Sequence, residues 1–289
     1  MKGETTDAPA PPLSPAGELV RRHDRDRFMT ALFAPAARRE DLFALYAFNY
    51  EIARVRETVS EPMLGRIRLQ WWRECIEAAY QGGPVRRHVV AEAVTAAIRS
   101  RGLSRGPFDR LIDTRERDLD ESPFPTLGSL RDYAAGTSAA LIELAVEALA
   151  AGSGTANEAA REVGVGYALA GLLRAVPFHA RLGRCYIPAD IAAHAGLDLR
   201  DYAAARASAP LRAAVAEIAA AASDCLRRAR DLRARVPRAA VPALLPAIIA
   251  ARALDRLRRA RYDPFDPALA TGDPLQSWRL AAAALLGRF

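Results

Sequence analysis

Acidic residues recur every two or three positions between residues 113 and 120, and they are the most evident candidate metal ligands. Carboxylates three or four residues apart share one face of a helix, and their oxygens suit Mg²⁺. Arginines alternate with them, which is more typical of a solvent-exposed face with ion pairs along the helix. We therefore expect an exposed charged face, or a surface for a partner, at Asp113, Arg115, Glu116, Asp118 and Asp120.

His179 and the cysteines offer a second kind of chemistry. No serine or cysteine nucleophile pairs with His179, so a hydrolase triad is not indicated. His179 is either a polar residue near a helix end or a hydrogen-bond donor in a pocket. Cys75, Cys185 and Cys225 are too scattered for a zinc site or a disulfide framework, and they indicate a reducing compartment.

The chain is strongly basic, with a formal net charge of +7 and an isoelectric point near 9.7. Lys2 is its only lysine, so arginine supplies almost all of the positive charge. A genome that favours arginine codons would explain this composition, and so would an anionic partner such as phosphate headgroups. No nucleic-acid-binding motif accompanies the charge, so we expect no nucleic-acid partner.

Helix-forming residues dominate, and no strand-like alternation occurs, so we predict an all-α fold. Residues 1–14 resemble a disordered tail without a signal-peptide pattern, and residues 15–289 form one helical domain. Residues 239–251 are the most apolar stretch. They predict a buried helix, although the arginine-rich flanks would also suit an anionic membrane leaflet. We predict helices over 15–33, 35–56, 64–78, 85–101, 104–120, 126–150, 157–181, 208–236, 241–261 and 274–289, with short helices after Pro188.

Local signals mark two of these helix starts and one close contact. Ser14 and Ser208 each precede a proline by one or two residues, which is typical of a capped helix start. The helix over 157–181 contains Gly164, Gly166 and Gly171, and glycines on an apolar helix allow a neighbour or a ligand to approach closely.

Two segments, residues 46–57 and 164–188, resemble the signature helices of squalene and phytoene synthases. Residues 69–74 resemble the helix between them, and the resemblance covers nearly the whole chain after the tail. It implies a single helical domain of isoprenoid-synthase type. Active synthases place aspartates on two facing helices, where they hold Mg²⁺ against a prenyl diphosphate. The metal withdraws charge from the leaving diphosphate.

This chain departs from the synthase pattern at those aspartates. Ala53 and Arg54 stand in the first motif, where only Glu57 survives, and Ala175 and His179 stand in the second. A methyl cannot ligate magnesium, a guanidinium repels it, and imidazole prefers softer metals. We therefore expect no catalytic residue, no metal and no cofactor. The retained polar positions either shape the loop after the long helix or form an anion-binding pocket from Tyr46, Asn49, Arg174, Arg181, Arg184 and Tyr186.

The same losses resemble a non-catalytic branch of the family, the complex I assembly factor 6 proteins. The stretches that match this branch are residues 47–53, 59–61, 65–72, 113–120, 173–179 and 276–279. This resemblance implies a factor for the biogenesis of respiratory NADH:quinone oxidoreductase, with complex I subunits or other assembly factors as partners. We expect a bacterial, cytoplasmic protein, or one attached peripherally to the inner face of the inner membrane.

Two alternatives to the assembly role stay open. The first is an active, magnesium-dependent prenyltransferase that feeds carotenoid or hopanoid biosynthesis. The second is a metal-free protein that binds a lipid or an isoprenoid. An empty apolar tunnel in the structure would favour the second alternative, whereas bulky side chains in the cavity would favour a scaffold.

Overall fold

A computed structural model describes residues 13–120 and 122–289. Within these ranges the regular elements are helices and no strand occurs, so the all-α prediction is confirmed. Residues 1–12 of the predicted tail lie outside the described residues. The helices are α1 Pro15–His23, α2 Arg25–Ala31, α3 Ala36–Ala53, α4 Pro62–Gln81, α5 Val89–Arg101, α6 Arg105–Arg115, α7 Leu127–Ala134, α8 Ala140–Ala148, α9 Gly154–Arg174, α10 Val176–Arg181, α11 Ala189–Ala195, α12 Leu199–Ala203, α13 Ala209–Leu232, α14 Val241–Leu244, α15 Pro246–Arg259 and α16 Gln276–Leu285.

Local capping explains where the first helices begin. The Ser14 hydroxyl accepts a hydrogen bond from the backbone N–H of Gly17 at 3.0 Å, directly before Pro15. One continuous helix from Pro15 through Phe33 was predicted, and this is wrong, because the chain leaves helical geometry at Asp24. The Asp24 carboxylate then accepts from the backbone N–H of Arg27 at 3.1 Å, so it caps the start of α2.

Three other predicted helices are also divided. A π-helical stretch, Ala135–Ala139, separates α7 from α8, where a single helix was expected. Prolines divide the others, because a proline has no N–H to donate to the preceding turn. Pro177 lies in the first turn of α10, just after α9 ends, and Pro246 begins α15 just after α14.

Helix α9 lies at the centre of the bundle and packs against α8, α13, α15 and the π-helical stretch. Two of its glycines permit this. A Cβ on Gly164 would lie 2.2 Å from the Cα of Ala139, and one on Gly166 would lie 2.8 Å from a methyl carbon of Leu226. The predicted close approach of neighbouring elements is confirmed at both positions. A Cβ on Gly171 would meet nothing within 4 Å, so this turn of α9 borders open space.

The apolar stretch at 239–251 is buried, as expected. Ala240, Ala243, Leu244 and Leu245 have no solvent exposure. These side chains therefore cannot contact a membrane while the fold is intact. Among the described residues, no helix has the length and hydropathy needed to cross a bilayer.

Candidate functional site

The first motif lies where α3 ends. Ala53 is the last residue of that helix, and the next residue, Arg54, lies 3.7 Å from the carboxylate of Glu51. The Arg54 guanidinium also lies over the ring of Tyr50, 5.2 Å from its centroid. Glu57 is exposed in the short 3₁₀ turn that follows. These positions form an ion pair on the helix surface instead of a pair of carboxylates.

The second motif lies where α9 ends. Arg174 closes the helix and pairs with Asp26 of α2 at 2.9 Å, and the side-chain amide of Gln276 donates to the same carboxylate at 2.9 Å. Ala175 follows as the C-terminal cap. Arg174 therefore connects α9 to α2 and α16, and its charge is already balanced by Asp26.

His179 lies on α10 against the ring of Tyr186, with the two ring centroids 4.5 Å apart. Its Nδ1 atom is buried and has no hydrogen-bond partner in the described part of the chain. Burial, together with the charge of Arg184, lowers the pKa of His179 to about 4. The imidazole is therefore neutral near pH 7.

A polar network lies beside His179. The Tyr133 hydroxyl donates to Asp118 at 2.7 Å, and Arg115 donates to both Asp118 at 3.0 Å and Tyr133 at 2.8 Å. Burial raises the pKa of Tyr133 well above its usual value, so the phenol keeps its proton. Within the described residues Arg115 and Asp118 balance each other's charge, whereas the Nε atom of Arg115 is buried without a hydrogen-bond partner.

The prediction that residues 113–120 form one exposed charged face is wrong for two of its members. The side chains of Arg115 and Asp118 are only 15% and 10% exposed. Asp113 and Glu116 do face solvent, and both pair with Arg73 of α4, at 2.7 and 2.6 Å. The run divides because the helix ends at Arg115, and the 3₁₀ turn that follows directs Asp118 inward.

A second buried charge fills the interior beside α9. Arg27 lies between two aromatic rings, 5.9 Å from the centroid of Tyr46 and 5.0 Å from that of Tyr167. Its guanidinium pairs with Asp24 at 2.7 Å. Burial alone would lower the pKa of Arg27, but the Asp24 carboxylate raises it, so Arg27 stays charged. Burial also raises the pKa of Tyr46 to about 12.

Sequence reasoning missed this Asp24–Arg27 pair. The Asp-x-x-Arg spacing does carry a local signal, because an aspartate at a helix start commonly caps the N–H three residues later. Nothing local indicates that the arginine turns inward to lie between two rings.

Three kinds of cavity adjoin these residues. One of about 380 Å³ is polar and is lined by Arg117, Asp118, Arg184 and Tyr186, among others. Two apolar cavities beside α9 hold only about 10 and 40 Å³. Ligand pockets for small molecules usually hold about 300–1,000 Å³. An open cleft of about 810 Å³, lined by Arg174, lies between α2 and α16.

These residues do not fit a magnesium site of the synthase kind. In the described ranges no group of three or more His, Cys, Asp or Glu side chains is arranged to hold an ion. Arg54 places a positive charge where the first motif would need a ligand, and the neutral ring of His179 is a poor ligand for Mg²⁺.

The six predicted anion-binding residues are divided among several environments. Arg184 and Tyr186 line the 380 Å³ cavity, whereas Arg174 lines the separate cleft. The side chain of Arg181 is exposed and donates to the carbonyl of Pro177 at 3.1 Å. The remaining two are buried on α3, namely Tyr46 and Asn49.

The all-helical bundle defines an isoprenoid-synthase-type fold. A family model described as "Squalene/phytoene synthase" matches residues 20–282. The chain belongs to this family, which confirms the predicted resemblance.

Solved structures share the fold. A squalene synthase from Alicyclobacillus acidocaldarius is 22% identical, with a TM-score of 0.77 over 86% of this chain and 94% of that protein. A dehydrosqualene synthase solved with a ligand is 15% identical, with a TM-score of 0.79 over 94% of both chains.

Curated relatives carry two kinds of name. The chain is 31% identical to "NADH dehydrogenase (ubiquinone) complex I, assembly factor 6" of Rattus norvegicus, over 91% of its length and 80% of the relative. The protein of the same name from Homo sapiens is 30% identical over the same shares. A presqualene diphosphate synthase from Sinorhizobium fredii is 29% identical over 58% of this chain and 59% of that enzyme.

Proposed function

We propose that this chain is a non-catalytic member of the squalene/phytoene synthase family that supports the biogenesis of respiratory complex I. The observation that carries the proposal is the similarity to complex I assembly factor 6 proteins across 91% of the chain. The match to a presqualene diphosphate synthase covers 58%. An assembly role needs a folded scaffold and a partner surface, and it needs no turnover.

The interior supports a role without metal or cofactor. Departure of diphosphate from a prenyl group requires strong neutralisation of the leaving group, which Mg²⁺ ordinarily supplies. The side chains of Ala53 and Ala175 offer no oxygen ligand, and Arg54 adds a positive charge next to Ala53. Arg27 adds another charge to the interior, between Tyr46 and Tyr167.

Complex I subunits or other assembly factors are the partners that this proposal implies. The cytoplasm, with attachment to the inner face of the inner membrane, is the matching location. One polar surface for such a partner is formed by Asp113 at the end of α6 and Glu116 just after it, both paired with the partly exposed Arg73 of α4.

Deletion of the gene in the source organism tests the assembly role. We expect a lower amount of assembled complex I and a lower NADH:quinone reductase activity, both restored by the wild-type gene. Succinate:quinone reductase activity serves as the control, because it reports a respiratory complex that the proposal leaves unaffected. Normal complex I in the deletion strain would refute the proposed role.

Pyrophosphate release separates this role from the synthase alternative. The purified chain is incubated with farnesyl or geranylgeranyl diphosphate, with and without Mg²⁺ and a reductant. We expect no turnover under any of these conditions. Magnesium-dependent release of pyrophosphate would show that other carboxylates hold the metal, and the non-catalytic proposal would then be abandoned.

A second candidate function is binding of an anionic isoprenoid or lipid without metal. It is favoured by the 380 Å³ cavity, where the Arg184 guanidinium has no ion-pair partner among the described residues. Calorimetric titration with farnesyl diphosphate in the absence of Mg²⁺ tests it. Stoichiometric binding that Arg184→Gln weakens and Arg181→Gln leaves unchanged would support this function. Equal effects of the two substitutions would contradict it.

A further inference from the structure

The outward face of α16 carries an apolar stripe that nothing in the described chain covers. Leu275, Trp278, Ala282 and Leu285 follow one another at intervals of three, four and three residues, so they share one side of the helix. Trp278 is 75% exposed and Leu285 is 76% exposed. The opposite side of α16 packs into the core through Leu280, which has no solvent exposure.

Two arginines lie at the C-terminal end of this stripe. Residues 274–289 contain no aspartate or glutamate. Arg238 donates to the backbone carbonyl of Leu285, and Arg288 follows Leu285 by three residues. Both arginines are exposed, and in the described part of the chain neither has an ion-pair partner. Arg279, on the helix itself, pairs with Asp273 at 3.2 Å.

The size of the patch limits what can cover it. Together with the neighbouring Leu286, which is 60% exposed, the stripe presents on the order of 500 Å² of apolar surface. A stable protein–protein interface buries about 800 Å² on each partner, so the stripe alone is too small for one. A second copy of the chain is disfavoured as well, because pairing two stripes would bring the arginines of both copies close together.

We propose that α16 is a docking element for an anionic lipid leaflet. Tryptophan and leucine side chains enter the boundary between headgroups and acyl chains, while arginines bind lipid phosphates. Even a short helix suffices for this, because apolar contact and attraction to an anionic leaflet act together. The inference rests on the membrane attachment that the proposed function includes, and it assigns that attachment to α16 in place of the buried stretch 239–251. A failure of vesicle binding would refute this docking alone, because the gene deletion tests the assembly role separately.

Vesicle sedimentation of the full chain tests the proposal. The probes are phosphatidylcholine vesicles with and without phosphatidylglycerol. We expect binding to the anionic vesicles that weakens as salt is raised. Trp278→Ser combined with Leu285→Ser should reduce the partition constant at least about tenfold. The matched control replaces Met63 and Ile67 with serine, because both are 58% exposed on the distant surface of α4.

Tryptophan fluorescence gives an independent readout. Trp278 is exposed in water, so its emission should shift to shorter wavelength with anionic vesicles, and Trp278→Phe should abolish the shift. Thermal unfolding by circular dichroism should be unchanged in all variants, because the altered side chains face solvent.

Several outcomes would overturn the proposal. These are the absence of vesicle binding, equal loss of binding in the α4 control, and equal binding to neutral vesicles. Capture of a protein partner or of a second copy through α16, without vesicle binding, would assign the stripe to that occupant instead.

Discussion

Removing the charge of Asp24 should destabilise the fold strongly. The Asp24 and Arg27 side chains are 16% and 11% exposed, and their charged groups lie 2.7 Å apart. Breaking a buried ion pair costs about 3–5 kcal/mol, because one charge is left without compensation. Asp24→Asn keeps an oxygen that can cap α2, so it isolates the effect of charge, and we expect a loss of about 3 kcal/mol in the free energy of unfolding.

Companion variants separate the contributions at this site. Asp24→Ala also removes the cap and should cost about 1 kcal/mol more than Asp24→Asn. Combining Asp24→Asn with Arg27→Met removes both charges, and we expect a stability within about 1 kcal/mol of the wild type. Urea unfolding followed by circular dichroism measures each free energy of unfolding. The dependence of this free energy on urea concentration should be the same in all variants, which shows that the folded and unfolded states are comparable.

The chain supplies its own control for this experiment. Glu18 and Arg21 on α1 have the same spacing and the same 2.7 Å separation, but their side chains are 39% and 56% exposed. An exposed pair contributes about 0–1 kcal/mol, so Glu18→Gln should have little effect. If Asp24→Asn were as mild as Glu18→Gln, or if the double variant simply summed two large losses, the role assigned to burial would be refuted.

The remaining predictions concern the stability effects of two glycines of α9, of Tyr133 and of His179. Gly164→Ala should cost about 1–3 kcal/mol or more, because the new methyl meets the backbone of Ala139. In the same helix, Gly171→Ala should instead add up to about 1 kcal/mol, and urea unfolding compares the two. Tyr133→Phe should cost about 1–3 kcal/mol by the same assay, since it removes the hydroxyl from a buried network. The pKa of His179 is about 4 in the folded chain and 6.5 when unperturbed, so as pH falls the unfolded chain takes up this proton at a higher pH than the folded chain does. Stability should fall as pH drops from about 6.5 to 4, and less steeply in His179→Gln.

Local signals in the sequence predicted much of the fold. Serine before proline marks the beginning of two helices, and both Ser14 and Ser208 cap as expected. Proline and glycine also mark several of the remaining ends, as Pro62 and Gly82 do for α4, because their effects act within one turn of the backbone. The family motifs added the bundle type, which periodicity alone could not distinguish from other all-α folds.

Sequence patterns predicted less of the interior of the site than of the helices around it. Helical periodicity shows which residues share a face, but not which neighbour that face meets. Asp118 is in an alternating charge run that is typical of a solvated surface, and only the packing of α6 against the π-helical stretch places it near Tyr133. Arg27 turns inward because Asp24, Tyr46 and Tyr167 converge from three different helices or helix ends.

The ion pairs at the two motif positions have a consequence for anyone who would engineer magnesium binding into this chain. Arg54 lies 3.7 Å from the carboxylate of Glu51, and Arg174 pairs with Asp26 at 2.9 Å. Aspartates introduced at Ala53 and Ala175 would therefore stand next to carboxylates that arginines already neutralise. One free carboxylate at each helix end is too few for an ion that prefers six oxygen ligands, so building a metal site also requires Glu51 and Asp26 to be released from their arginines.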